Sequence, residues 1–359
     1  MGGRHDGWVD EGFIPGVRLA GKFYGEVVRA LLDEGFPGLR HAAALIGPGS
    51  EVLGFDTERS TDHDWGPRLQ VFPEAGELAG AVSEMLAGRL PARFRGYPVA
   101  FEVTREPGGG ARHRVEVAAL GGWLTGRLGF DPGQGVGLTD WLATPWQRLA
   151  EVTAGEVFHD APGELSRVRA ALSWYPHDVW LYVLSCQWAR IAQEEAFPGR
   201  CAEAGDDLGS AVVTARLARD LMCLWLLMHR RYPPYSKWLG SAFARVPGTQ
   251  ALASHLAGAL AATDWPGRER RLVRAYETVA GAHNRLGLTE PLDPATRPYY
   301  DRPFQVLDAG RFAAALAAGI GDPAVRRLPP DGAADQFIDS TDALGDVRRV
   351  RYQIEICPS

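Results

Sequence analysis

Apolar positions along the chain follow two regimes. In residues 17–32, Leu19, Phe23, Val27, Leu31 and Leu32 recur at helical spacing, and Gly35-Phe36-Pro37-Gly38 ends the run. Residues 42–46 form a short apolar strand that runs into Gly47-Pro48-Gly49-Ser50. Residues 64–72 read as the next strand, with Leu69, Val71 and Phe72, and residues 77–90 as an amphipathic helix. Residues 98–103 and 113–117 alternate apolar with polar, and Gly108-Gly109-Gly110 between them is a hairpin signal. The pattern predicts an α/β domain over residues 1–135, a small mixed sheet with helices.

Beyond residue 138 the period becomes helical. Helices are expected at 138–152, 164–172, 178–195, 210–230, 238–245, 249–262, 268–285 and 308–318. Pro198-Gly199, Tyr232-Pro233-Pro234 and Pro247-Gly248 separate several of them. A strand is expected near the end, at 347–356. This gives an α-helical C-terminal domain over residues 136–359, with no internal repeat.

The candidate chemistry lies between the first two strands. Asp62 and Asp64 flank His63 at i and i+2, twelve and fourteen positions after Ser50. On a strand these two carboxylates share a face. Two carboxylates on one face repel unless a cation sits between them. Magnesium takes such carboxylates together with substrate phosphates. Gly49 and Ser50 supply backbone N–H groups with little side chain in the way, which suits phosphate oxygens. Together these residues point to metal-assisted phosphoryl or nucleotidyl transfer.

The order of apolar strand, Gly-Ser, a gap of about ten residues and Asp-x-Asp resembles the polymerase-β-like nucleotidyltransferases. In that superfamily a third carboxylate follows on a later strand. A sheet domain followed by a helical domain is also similar to aminoglycoside-type nucleotidyltransferases, in which the second domain closes one wall of the cleft. The likeness extends to a bacterial family of nucleotidyltransferase-like proteins catalogued as a domain of unknown function. It rests on Ser60-Thr61-Asp62-His63-Asp64-Trp65-Gly66-Pro67-Arg68, Gly155-Glu156-Val157-Phe158-His159-Asp160, Trp174-Tyr175-Pro176-His177-Asp178-Val179-Trp180, Tyr232-Pro233-Pro234-Tyr235-Ser236-Lys237-Trp238 and Tyr300-Asp301-Arg302-Pro303-Phe304. It spans residues 15–345. The resemblance implies a nucleotidyltransferase fold and a nucleotide-linked reaction, and leaves the substrate open. His63 departs from the superfamily, where the position between the aspartates is usually apolar.

A third acid would complete the metal ligands or accept the proton of an attacking hydroxyl. Glu116 and Glu102 both qualify. Glu116 is favoured because Ala118-Ala119-Leu120 makes its strand read as buried and central, whereas Pro98 marks the strand of Glu102 as an edge. Arg68, just after the aspartates, is a candidate phosphate ligand. Lys237 stands near the start of a helix, where a cation is unfavourable unless it shares an anion with the helix N-terminus. It is the candidate triphosphate contact from the helical domain.

Composition narrows the alternatives. Hydrophobic content of 46% and charged content of 23% are ordinary for a soluble globular protein. A formal net charge of −6 gives no basic footprint for an extended nucleic-acid surface. Four cysteines without Cys-x-x-Cys spacing argue against zinc and against a disulfide framework, and point to a cytoplasmic protein. There is no apolar signal core, no run long enough to span a bilayer, no Walker-type loop and no nucleophile elbow. His229 and His283 read as structural histidines. Glu194-Glu195 and Asp206-Asp207 read as solvated helix ends. The tryptophans read as core. The expectation is a Mg²⁺-dependent enzyme that moves a nucleoside monophosphate from an NTP to a small hydroxyl or amino acceptor. Asp62, Asp64 and Glu116 would hold two metal ions. Gly49, Ser50, Arg68 and Lys237 would hold the nucleotide. The alternatives are a nucleotide-binding protein of the same fold without turnover, and a toxin–antitoxin-like module that modifies a protein or tRNA.

Overall fold

The computed structural model describes residues 13–62, 65–102 and 111–356. It is a mixed α/β chain rich in helices, with one small mixed sheet. Its contacts divide it into two compact units. The first takes the chain through Arg127, Asp131–Gly133 and Glu151–Leu172; the second takes Leu128–Phe130, Gln134–Ala150 and Ser173 onward. The division does not follow a single cut at residue 135, because Glu151–Leu172 returns to the sheet.

Four strands make that sheet: β1 (His41–Leu45), β2 (Leu69–Pro73), β3 (Val115–Val117) and β4 (Glu156–Asp160), in the order β3-β2-β1-β4. β2 is antiparallel to β1 and parallel to β3, and β4 is antiparallel to β1. β1 and β2 are buried at every position, polar His41 and Gln70 included, as central strands are. The first helix covers them. It runs Gly16–Phe23, passes through a π turn at Tyr24–Val28 and ends with Arg29–Gly35. Leu19, Phe23, Val28 and Leu32 from this helix pack with Ala43, Leu69, Val71 and Val115, and Val82 and Leu86 of the helix Ala79–Arg89 close the same core.

Several expectations are corrected here. β3 is an edge strand, not a central one: Glu116 is exposed, and so is Ala119. Glu102 ends a separate hairpin, Ala100–Glu102 paired with Ala111–His113, whose glycine turn lies outside the described residues. β2 starts at Leu69 rather than 64. β4 was not anticipated at all.

The second unit is helical. Its main helices are His177–Glu194, Asp207–Met228, Gln250–Ala261, Trp265–Arg285 and Gly310–Ala318. Asp206 and Asp264 cap two of them by accepting the N–H of Gly209 and Gly267. The helix expected over 138–152 is two helices, Leu138–Ala143 and Trp146–Thr153, because Pro145 disfavours helical backbone at Thr144. Residues 347–356 form a helix, not a strand: Asp346 accepts the N–H groups of Arg348 and Arg349, which starts a turn and buries Val347 and Val350 on one side. Pro198 is the second residue of a short helix, Phe197–Glu203, that the sequence shows only as a break. Gly199 lets that helix lie against the Phe304 ring, which a Cβ would strike.

Glu195 is no solvated helix end. Its buried carboxylate accepts N–H groups from Leu307, Asp308 and Ala309 at 2.8, 3.1 and 2.9 Å, which secures the entry to the last long helix. Burial raises its pKa to about 7 against the pull of those donors. His283 is structural, as expected. Trp188 Nε1 donates to its Nδ1 at 3.2 Å, which leaves Nε2–H to donate to Thr289 Oγ1 at 3.1 Å, and burial lowers its pKa to about 4. Trp141, Trp146, Trp180, Trp188 and Trp225 are buried in this unit.

Candidate functional site

The Gly-Ser turn follows directly from the end of β1. Gly47 and Gly49 have φ of +87° and +139°, which favour glycine. A Cβ at Gly47 would press on the Trp123 ring, and one at Gly49 would run into the Arg68 guanidinium. Gly47 N–H donates to Glu151 O at 2.8 Å, and Phe55 N–H to Ser50 O at 2.7 Å. Among the described residues, the N–H groups of Gly49 and Ser50 donate to no protein acceptor. Gly49 is exposed and Ser50 half-buried.

Two carboxylates that the motif did not single out hold this loop. Glu51 is buried and pairs with Arg68: Nε lies 2.5 Å from Oε1, and Arg68 Nη2 also donates to Pro48 O. Asp56 Oδ2 accepts from Gly16 N at 2.7 Å and from Trp65 Nε1 at 3.1 Å. It therefore satisfies the N-terminus of the first helix and anchors the buried Trp65. The sequence signal for both was present, since each carboxylate stands beside an apolar run. Neither has the spacing that flags a ligand.

Arg68, a predicted phosphate ligand, is thus engaged by Glu51 and Pro48 beside the turn. Glu116 is linked to the same turn through Gln70. Buried Gln70 accepts the Ile46 N–H through Oε1 at 3.0 Å and offers Nε2 to Glu116 Oε2 at 3.5 Å. Register explains the link, because Gln70 lies opposite Ala44 on β1 and opposite Glu116 on β3. Asp62 ends a 3-10 turn, Glu58–Asp62, rather than sitting in a strand, so strand alternation does not set its direction. His63 and Asp64 lie outside the described residues, and so do the glycines of the Glu102 hairpin. Lys237 is exposed on the helix Ser236–Ala244 of the second unit, with Nζ 4.9 Å from the centre of the Trp238 ring. Arg302 pairs with Glu203 at 3.0 Å.

The donor set bears directly on the expected metal. Glu116 offers an exposed carboxylate, and the sequence adds Asp62 and Asp64. Among the described residues, no group of three or more His, Cys, Asp or Glu is arranged to hold a metal ion. Two of the three expected ligands, the Asp62 side chain and Asp64, are not among the side chains described.

The chain matches the family described as Domain of unknown function (DUF4037) over residues 141–239. That stretch holds the aromatic run at 174–180 and the Tyr-Pro-Pro-Tyr-Ser-Lys-Trp run with Lys237. The Gly-Ser turn, the aspartates and Glu116 all precede it. No curated protein and no solved structure matches the chain. Among the described residues, no helix is long and apolar enough to cross a membrane.

Proposed function

We propose that this protein is a Mg²⁺-dependent nucleotidyltransferase of the polymerase-β-like kind, transferring a nucleoside monophosphate from an NTP to a small hydroxyl or amino acceptor. The observation that carries the reading is the Gln70 link. It runs from the end of β1, where a glycine turn has N–H groups that meet no acceptor among the described residues, to a carboxylate 3.5 Å from Gln70 Nε2 on the edge strand β3. A turn able to take an anion and an acid near the same buried side chain suit phosphoryl transfer, since catalysis there is positioning plus charge stabilisation.

In this reading Gly49 and Ser50 N–H groups bind the terminal phosphates. Arg68 adds positive charge beside them, held in place by Glu51. Asp62 and Asp64 would hold the metal with Glu116, and the bound metal would neutralise charge on the transferring phosphate. Glu116 also accepts the proton of the attacking group when that group is a hydroxyl.

Pyrophosphate release from each NTP, assayed with pooled small hydroxyl and amino acceptors, tests the reading. Wild type should release pyrophosphate only with Mg²⁺, and Asp64→Ala and Glu116→Gln should reduce the rate at least 100-fold while remaining folded, roughly the size of a lost general base. Folded variants with wild-type turnover would refute it.

A further inference from the structure

One arginine of the sheet unit is spent on backbone oxygens. Arg169 lies on the helix Glu164–Ala171, which follows β4 and starts where Asp160 accepts the N–H groups of Gly163 and Ser166 at 3.0 and 2.8 Å. This helix carries Arg169 back to the segment that enters β4. Its Nε donates to Val152 O at 3.1 Å. Its Nη2 donates to Thr153 O and Ala154 O, each at 2.8 Å, and reaches Gly155 O at 3.5 Å. Among the described residues its hydrogen-bond partners are all carbonyls. Taking a guanidinium out of water is costly unless its donors are satisfied, and here the backbone satisfies them.

The segment it holds is the one that grips the Gly-Ser turn. Val152 and Thr153 end the helix Trp146–Thr153, whose last carbonyls find no partner within the helix. Glu151 O accepts the Gly47 N–H at 2.8 Å, and Arg169 takes the next three carbonyls. Gly155 N–H then donates to Val52 O at 2.9 Å. Gly155 has φ of +70° and lies so close to Leu45 O that a Cβ would strike it. Residues 151–155 therefore fasten the turn on both sides, at Gly47 and at Val52, with Gly49 and Ser50 between. A cation at a helix C-terminus is also favourable against the helix dipole. Without Arg169 the carbonyls of 152–154 lose a donor, and the partners of Gly47 and Val52 lose their fixed place.

We propose that Arg169 is a positioning residue for this turn: by locking residues 152–155 it sets where the Gly49 and Ser50 N–H groups stand to receive phosphate. The proposal rests on the reading of the turn as the nucleotide site, and two measurements on the full chain separate the two claims. Amide hydrogen exchange without nucleotide tests the hold. In Arg169→Gln the Gly47 and Gly155 amides should exchange about tenfold faster, roughly the effect of one lost charged hydrogen bond, while the amides that pair β1 with β2 keep their wild-type rates. Arg169→Lys should fall between, since it keeps the charge and loses the fork. Equal acceleration across the sheet would show lost stability alone, and an unchanged Gly47 amide would show no hold; either overturns the proposal. Pyrophosphate release tests the consequence. KM for the NTP should rise about tenfold in Arg169→Gln with kcat little changed, because contacts to the terminal phosphates are made in the ground state and the transition state alike. An unchanged KM in a variant whose Gly47 amide has loosened would overturn it. A wild type without turnover would sink the nucleotide reading, and the exchange rates would still decide what Arg169 holds.

Discussion

Two ion-pair centres in this chain use the same residue types to opposite ends. In the sheet unit, Glu51 and Arg68 match one carboxylate to one guanidinium at 2.5 Å, and the guanidinium also secures Pro48 O. In the helical unit, Asp220 is shared by Arg190 and Arg219 at 3.2–3.4 Å. The first arrangement is closed: one carboxylate and one guanidinium fix the backbone of a turn. The second is open: one buried carboxylate is divided between two guanidinium groups through longer contacts.

The contrast predicts a ranking of effects on stability, read by urea unfolding of the full chain. Arg68→Ala should be the most damaging, by about 3–5 kcal/mol, since it leaves Glu51 charged and buried without its partner. A loss below about 1 kcal/mol would mean that the pair does not hold the turn. Gln70→Leu comes next. It strips the buried Ile46 N–H of its acceptor, at a cost of about 1–3 kcal/mol, and frees Glu116 from its only described link to β1.

The pH dependence of the open centre is the next sharpening. Burial raises the Asp335 pKa from the usual 3.8 to about 7, so the folded state favours the protonated acid. The stability this contributes is complete below about pH 4 and is lost as pH rises through about 7. Between those limits Asp335→Asn should lose less stability than wild type, and parallel curves would show that Asp335 does not titrate in that window. The smallest effect should come from Arg219→Gln, under about 1 kcal/mol, because its contacts are long or exposed. A much larger loss would show that buried Asp220 depends on Arg219 as well as on Arg190.

Much of this architecture is legible in the order of residue types. The long helices of the second unit are fixed by periodic apolar positions, and Asp206 and Asp264 mark two of their starts. β1 and its turn are legible because an apolar run ends in Gly-Pro-Gly-Ser. Several misses share a cause: they depend on partners distant in sequence. β4 is a half-buried run of five residues whose pairing with β1 spans more than a hundred positions, and its only local signal is Gly155, which packs against Leu45 O. The edge position of β3 follows from sheet order, which apolar neighbours of Glu116 do not encode. Glu195 reads as half of an exposed acidic pair until the 307–309 backbone arrives to cover it. At the candidate site the motif residues are flagged by spacing, while Glu51, Asp56 and Gln70, which hold the loop, are not, because they bind the protein's own backbone and side chains.

The central claim is that the turn at Gly49 and the acids at Asp62, Asp64 and Glu116 form one nucleotide site. Thermal unfolding of wild type, Asp62→Ala and Asp64→Ala with each of the four NTPs, with and without Mg²⁺, tests it most directly. The account predicts a magnesium-dependent rise in Tm with at least one NTP, absent in both variants. No shift with any NTP, or an equal shift in the variants, would contradict it.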